Sequence, residues 1–315
     1  MTTYKEIRGT NIEAVASDPS NPVEGQVWYN TTTNVVKGLV GGGSWATGNN
    51  LNTGRYALGG AGIQTAALAF GGLAPPGRLT LTESYNGTNW TEVNDLNSAR
   101  NKLAGSGTQT AALAFGGDIP PVSALTEKWN GTNWTEVNDL NTARRTLAGA
   151  GTNTSALAFG GEYSGNPRTT ITELWNGTNW TEVNDLNVAR EKLAGAGATN
   201  TAALAFGGQP ASPTNTELWN GTNWTEVNDL NNARYYISGC GTNTAALAFG
   251  GSPVLKLTES WNGTNWSNKG DLNTGRQQAA AAGTNTAALA FGDQNVFAAT
   301  EEFTAGAITV TFDVS

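Results

Sequence analysis

Apolar and polar positions alternate with a period of two in a run that returns six times along the chain. The run reads AALAF, or SALAF once, and ends at Phe70, Phe115, Phe159, Phe206, Phe249 and Phe291, at intervals of 42–47 residues. Leu and Phe fall on one side of it and Ala on the other, which predicts a half-buried strand. Three further patterns travel with the run. A small, Gly-rich stretch (LAGAG) precedes it, TELW follows it, and NWTEVNDL comes next, with Asn-Gly between the last two as a hairpin signal. Each unit therefore predicts four strands: A (LAGAG), B (AALAFGG), C (TELW) and D (NWTEVNDL). The fullest copy runs from Thr172 to Gly208, with others starting at Thr82, Thr126, Thr216 and Thr258 and a truncated one at Thr300. Four strands at this period predict an all-β fold, a β-propeller of four-stranded blades, and not a helical solenoid.

The two ends of the repeat array are out of phase. Trp45 stands ten residues before Arg55, as Trp90 does before Arg100 and Trp180 before Arg190, so residues 45–51 fill a D slot with no A, B or C before them. Thr300–Phe303 fills a C slot with no Trp-bearing D after it. The deficits are complementary, and pairing Trp45–Leu51 with Thr300–Phe303 would complete a sixth blade, close the ring and remove its exposed edges. Residues 45–306 are thus expected to form a six-bladed propeller. Residues 1–44 form a separate segment, with Glu6–Val15 read as one strand, Ser17–Pro22 as a turn, Gln26–Tyr29 with Val35–Val40 as a hairpin, and Gly41–Ser44 as a flexible joint. In 307–315, Ile308, Val310, Phe312 and Val314 alternate as in a strand. Whether that strand competes for the slot of Trp45–Leu51 or adds an extra edge is open.

The stretch Gly25–Trp45 resembles a short segment of the form GxxWYNTTTxxLK found in tail-fibre and other virion proteins of tailed bacteriophages. Residues 45–303 resemble the kelch family, whose blades carry a Gly-Gly pair after strand B, an aromatic before a turn, a Trp after it and an Arg opening the next unit. In one repeat these are Gly160, Gly161, Trp175, Trp180 and Arg190. The departures are Tyr85 and Phe303 in place of the first Trp, and Asp293 in place of the second Gly. Taken together, the two segments resemble kelch-like structural proteins of marine phages. The resemblance implies a virion protein, associated with a tail or fibre and made in the host cytoplasm, with residues 1–44 contacting other virion proteins. It carries no activity with it, because propellers host unrelated functions.

Composition narrows the chemistry. The chain has no histidine, so neither a His-dependent triad nor a His/Cys metal cluster can be built, and the histidine-ligated copper of kelch-type oxidases has no counterpart. No cofactor or metal is expected, and the protein is read as non-enzymatic. A net charge of −8 without a basic cluster argues against nucleic acid or a membrane as partner. No apolar signal segment follows Met1, so synthesis in the cytosol without a Sec signal is expected. The single cysteine, Cys240, replaces Ala in an A strand and is read as a buried small hydrophobe. Six Arg (Arg55, Arg100, Arg144, Arg190, Arg234, Arg276) recur with six Glu (Glu83, Glu127, Glu173, Glu217, Glu259, Glu301). They are read as pairs joining adjacent blades, each Arg stem packing on Trp; a ring gripping an anion is the alternative. The NGT and NWT triplets are read as turns, and the Trp residues as core.

Comparison of the copies locates variation. The A–B and C–D connections barely change, whereas the B–C loops diverge (LAPPGRLT, EYSGNPRTTI, QPASPTN), as does the residue pair after each Arg. In an antiparallel A-B-C-D sheet those two connections emerge on one face. That face is expected to recognise a host-surface glycan or outer-membrane protein through Tyr56, Arg78, Tyr163, Asn166, Arg168, Tyr235, Tyr236 and Lys256. A purely structural role in decorating or assembling the virion is the alternative, and self-association is a further option.

Overall fold

The structure, a computed structural model, describes residues 12–20, 26–165, 167–210, 214–295 and 297–312, and among these it is all-β with no helix. The chain divides into two compact units, Ser44–Thr304 and the two chain ends, Met1–Gly43 with Ala305–Ser315.

Ser44–Thr304 holds four-stranded antiparallel sheets in the order A-B-C-D. The third, for example, runs Ala148–Gly151, Ala156–Phe159, Thr172–Trp175, Trp180–Val183. The A strands of the others are Gly59–Ile63, Ala104–Thr108, Ala194–Thr199, Ser238–Gly241 and Ala280–Gly283. Each A strand lies beside that of the next sheet, and Ala280–Gly283 lies beside Gly59–Ile63. In the last sheet, strands Ala280–Gly283, Ala287–Phe291 and Thr300–Thr304 are followed by Ser44–Gly48, with Trp45 opposite Phe303. This arrangement is a β-propeller-like all-β fold.

The B strands differ from expectation. They are buried on both faces, Ala67, Leu68, Ala69 and Phe70 all at 0% exposure. The reason is the size difference between the two sides. The Leu and Phe of one sheet (Leu157, Phe159) pack against the Ala face of the next (Ala203, Ala205), and the same combination recurs at other sheet interfaces. Alternation here matches large to small between neighbouring sheets, not apolar to solvent. Strand A must be small for the same reason: a Cβ on Gly105 would stand 2.5 Å from the Phe70 ring and 2.7 Å from the Gly60 carbonyl oxygen.

What joins neighbouring sheets is the D-strand Trp. Trp224 packs its ring 4.9 Å from Phe159 of the preceding sheet and donates its indole N–H to Thr172 Oγ1 there at 3.0 Å. Trp134, Trp180 and Trp266 repeat both contacts; Trp45 does so with Phe249 and Thr258, and Trp90 with Phe291 and Thr300.

The other unit is a sheet ordered Glu13–Val15, Val27–Asn30, Val35–Gly41, Ala307–Phe312. Residues 6–11 of the strand read over Glu6–Val15 lie outside the described residues. The expected hairpin forms, Val27–Asn30 against Val35–Gly41, and Asn30 Oδ1 accepts the Thr32 and Thr33 amides at 3.1 and 3.0 Å to shape its turn. Trp28, fully buried, and Asn30 both donate to Asp18 Oδ1, and Lys37 pairs with Asp18 at 2.7 Å; these bonds, Lys37's foremost, hold that carboxyl down to about 2. Gly41–Ser44, read as a flexible joint, gives its first and last residues to strands, and the Gly42 amide donates to the Gly306 carbonyl at 2.7 Å. The C-terminal run pairs with Val36–Gly41 and so belongs with the hairpin, leaving the slot beside Thr300–Thr304 to Ser44–Gly48.

Candidate functional site

Each repeated Arg begins the segment leading into strand A, and its side chain is a structural anchor. Arg190 Nη1 donates to the carbonyls of Gly207 (3.0 Å) and Asn215 (2.6 Å), and Nη2 to Glu217 Oε1 (2.8 Å). The other Glu217 oxygen accepts both the backbone and the side-chain amide of Asn187, each within 2.8 Å. All six Arg–Glu pairs recur at 2.8–3.2 Å with both members buried. The reading of these residues as partners holds, with one correction: each pair lies within one sheet, fastening the incoming segment to strand C, whereas Trp and Thr bind neighbouring sheets. A buried, carboxylate-paired guanidinium is unavailable to a ligand.

The residue after five of the six Arg is clamped to the residue after the Gly-Gly pair of its own sheet. Tyr56 bridges Leu73, Asn101 Asp118, Arg145 Glu162, Glu191 Gln209, and Tyr235 Ser252. The divergent pair and the divergent B–C loop thus meet on one face. The second residue of each pair, Ala57, Lys102, Thr146, Lys192, Tyr236 and Gln278, has φ between 52° and 59°. This left-handed conformation favours glycine and costs other residues roughly 1–2 kcal/mol each, yet none of the six is glycine. Their backbones form a cycle. Lys102 N–H donates to Ala57 C=O, Thr146 to Lys102, Lys192 to Thr146, Tyr236 to Lys192, Gln278 to Tyr236 and Ala57 to Gln278, at 2.7–3.2 Å. These residues line a pocket of about 110 Å³ together with the residues that follow them, Leu58, Leu103, Leu147, Leu193, Ile237 and Ala279.

Charge is uneven around this rim. Asp118 accepts Arg78 (3.0 Å) and Arg145 (3.3 Å), Arg145 reaches Glu162 (2.7 Å), and Glu191 takes Arg168 and Lys192, both at 3.2 Å. Glu162 is pushed up by burial and by its hydrogen bond with Glu191, against the pull of Arg145. Glu191 is held down: burial opposes this and is outweighed by that bond, Lys192 and Arg168. Lys192 Nζ lies 5.0 Å from the centre of the Tyr236 ring. Burial and the nearby carboxylates Glu191 and Glu162 push the Tyr236 hydroxyl up to about 12, so it is a donor at neutral pH.

Of the residues singled out from sequence, Tyr236 lines this rim and Tyr235 stands beside it, ring centres 5.6 Å apart. Arg78 and Arg168 reach the same charged network. Tyr163 bonds its hydroxyl to Thr169 at 2.9 Å, and Asn166 lies outside the described residues. Tyr56 lines a separate cleft of about 430 Å³ with Leu73, Pro75, Pro76 and Phe297. Lys256 is exposed where its loop enters strand C, its carbonyl accepting the Leu272 amide at 2.9 Å, apart from the rim residues. Sequence reasoning missed Lys102, Thr146, Lys192 and Gln278. Their positions were visible as divergent, but their left-handed backbone had no glycine to signal it. Compared with known proteins, the chain matches no family model and no curated protein.

Proposed function

We propose that Ser44–Thr304 is a closed six-bladed propeller of kelch type, and that the chain is a non-enzymatic bacteriophage virion protein, tail- or fibre-associated, which recognises a host-surface glycan or protein with its varied face. The cycle of six backbone hydrogen bonds and the pairing of Ser44–Gly48 with Thr300–Thr304 support closure. The unit made of the two chain ends is the part that attaches to other virion proteins. One observation carries the recognition reading. Side-chain variety is concentrated at the rim and B–C loops, on a frame whose buried Arg, Glu, Trp and Phe repeat from sheet to sheet, and it persists at six positions where glycine would be less strained. Binding groups held on a rigid scaffold lose little entropy when a partner docks.

The test is binding of the purified chain to a glycan array and to outer-membrane vesicles. The variant Tyr56→Ala/Arg168→Ala/Tyr235→Ala is expected to lose about tenfold or more in affinity while melting with the same cooperativity. Unchanged binding would favour the second reading, structural decoration of the particle, which the near-uniform A–B and C–D connections at the other end suit.

A further inference from the structure

Among the cations on the charged side of the rim, Lys102 differs. Arg78, Arg145, Arg168 and Lys192 each have a carboxylate within 3.3 Å. Lys102 has no ion pair among the described residues, although it lines the pocket. Burial first, then the positive charge of Arg145 with a contribution from Lys192, disfavours its ammonium form, with Asp118 and Glu162 opposing. A half-buried ammonium without a counter-ion is disfavoured by partial loss of its water, and here it is set on a strained left-handed residue beside two other cations, in a chain of net charge −8.

We propose that the axial pocket binds a carboxylate carried on a small organic body, the acidic group of a uronic-acid-type sugar, with Lys102 as its principal partner and Lys192 and the Tyr236 hydroxyl as further donors. This inference rests on the recognition reading above and names the chemistry of its ligand. Size and lining select the class. About 110 Å³ is less than the roughly 150 Å³ of a cavity that holds a benzene ring, so it takes a carboxylate and the carbon bearing it but not a pyranose ring. The ring therefore lies across the rim. The aliphatic lining residues Leu58, Leu103, Leu147, Leu193 and Ile237 suit the carbon that bears the carboxylate. The opposite side of the rim, Ala57 and Gln278, carries no charge and leaves the neutral part of the ligand undisturbed. Bonds from an ammonium to a carboxylate are about twice as strong as neutral ones, more so where water is excluded.

Calorimetric titration of the full chain with glucuronate, an oligoglucuronate, glucose and sulfate tests this. Glucuronate is expected to bind, the oligomer more tightly, with affinity falling as salt is added; glucose and sulfate are not. Lys102→Met should weaken glucuronate binding by about tenfold or more without lowering the melting temperature, and Lys128→Met, on a C strand, should leave it unchanged. Gln278→Glu keeps every cation and places a carboxylate across the rim, so it should also abolish binding should Lys102→Met misfold. The proposal is overturned if neither uronate binds at millimolar concentration, if sulfate competes equally, or if folded Lys102→Met binds as the parent does. Recognition of array or vesicles that survives Lys102→Met but fails in the Tyr56, Arg168, Tyr235 variant would sink the axial site and leave the recognition reading standing.

Discussion

At the scale of single residues, the buried charges are most sensitive to change. Arg190→Ala would leave the buried Glu217 without its counter-ion, with the Asn187 amides to hold it, and would strip the Gly207 and Asn215 carbonyls of their donor. Breaking a buried pair by removing one partner costs about 3–5 kcal/mol, so chemical denaturation should show a loss of that order. A melting midpoint equal to the parent's would mean that the pair is not structural. A second residue-scale expectation concerns Glu162. Its raised carboxyl gives a contribution to stability that is complete below the ordinary value of 4.5 and is lost as pH rises through the raised one. Glu191, held down, contributes above 4.5 and loses that as pH falls. Glu162→Gln can donate to Glu191 without a titrating proton and keeps only the contribution of Glu191. Thermal melts from about pH 4 to pH 8 should therefore show the parent losing stability relative to Glu162→Gln as pH rises. Parallel curves would exclude the shared proton.

At the scale of elements, the strand Ser44–Gly48 is the sharpest case, because it comes from the far end of the chain. Trp45 stands 4.8 Å from Phe249 and donates to Thr258 at 3.0 Å, the contacts Trp224 makes from within its own repeat with Phe159 and Thr172. If the strand is an equal member of its sheet, Trp45→Ala and Trp224→Ala should destabilise by the same amount, about 3–5 kcal/mol for a buried Trp. A much smaller cost at Trp45 would show that this strand is loosely held. The B–C loops behave differently from the strands. They turn back on the segment after Arg through single bridges such as Arg145 to Glu162, which leaves their side chains free to vary while their backbone is tied.

Across the molecule, the order of residues is enough to specify the strands, their number per repeat and the phase offset of the two ends. These are local or arithmetical properties: a period of two, an Asn-Gly turn, a Trp at constant distance from an Arg. It also marked Arg and Glu as partners, because two buried opposite charges that recur together must neutralise each other. Three matters were decided only by the tertiary structure. Alternation in AALAF looks the same whether its Ala face meets water or the next sheet, and packing of Phe159 on Ala203 and Ala205 settled that both faces are covered. The strand Ala307–Phe312 would suit either open edge, and its register with Val36–Gly41 chose the hairpin. The axial rim had no local signature at all. The left-handed turn at Lys102 and Lys192 is imposed by hydrogen bonds passed from one sheet to the next, and those bonds, not any motif, bring residues from six separate repeats around one pocket.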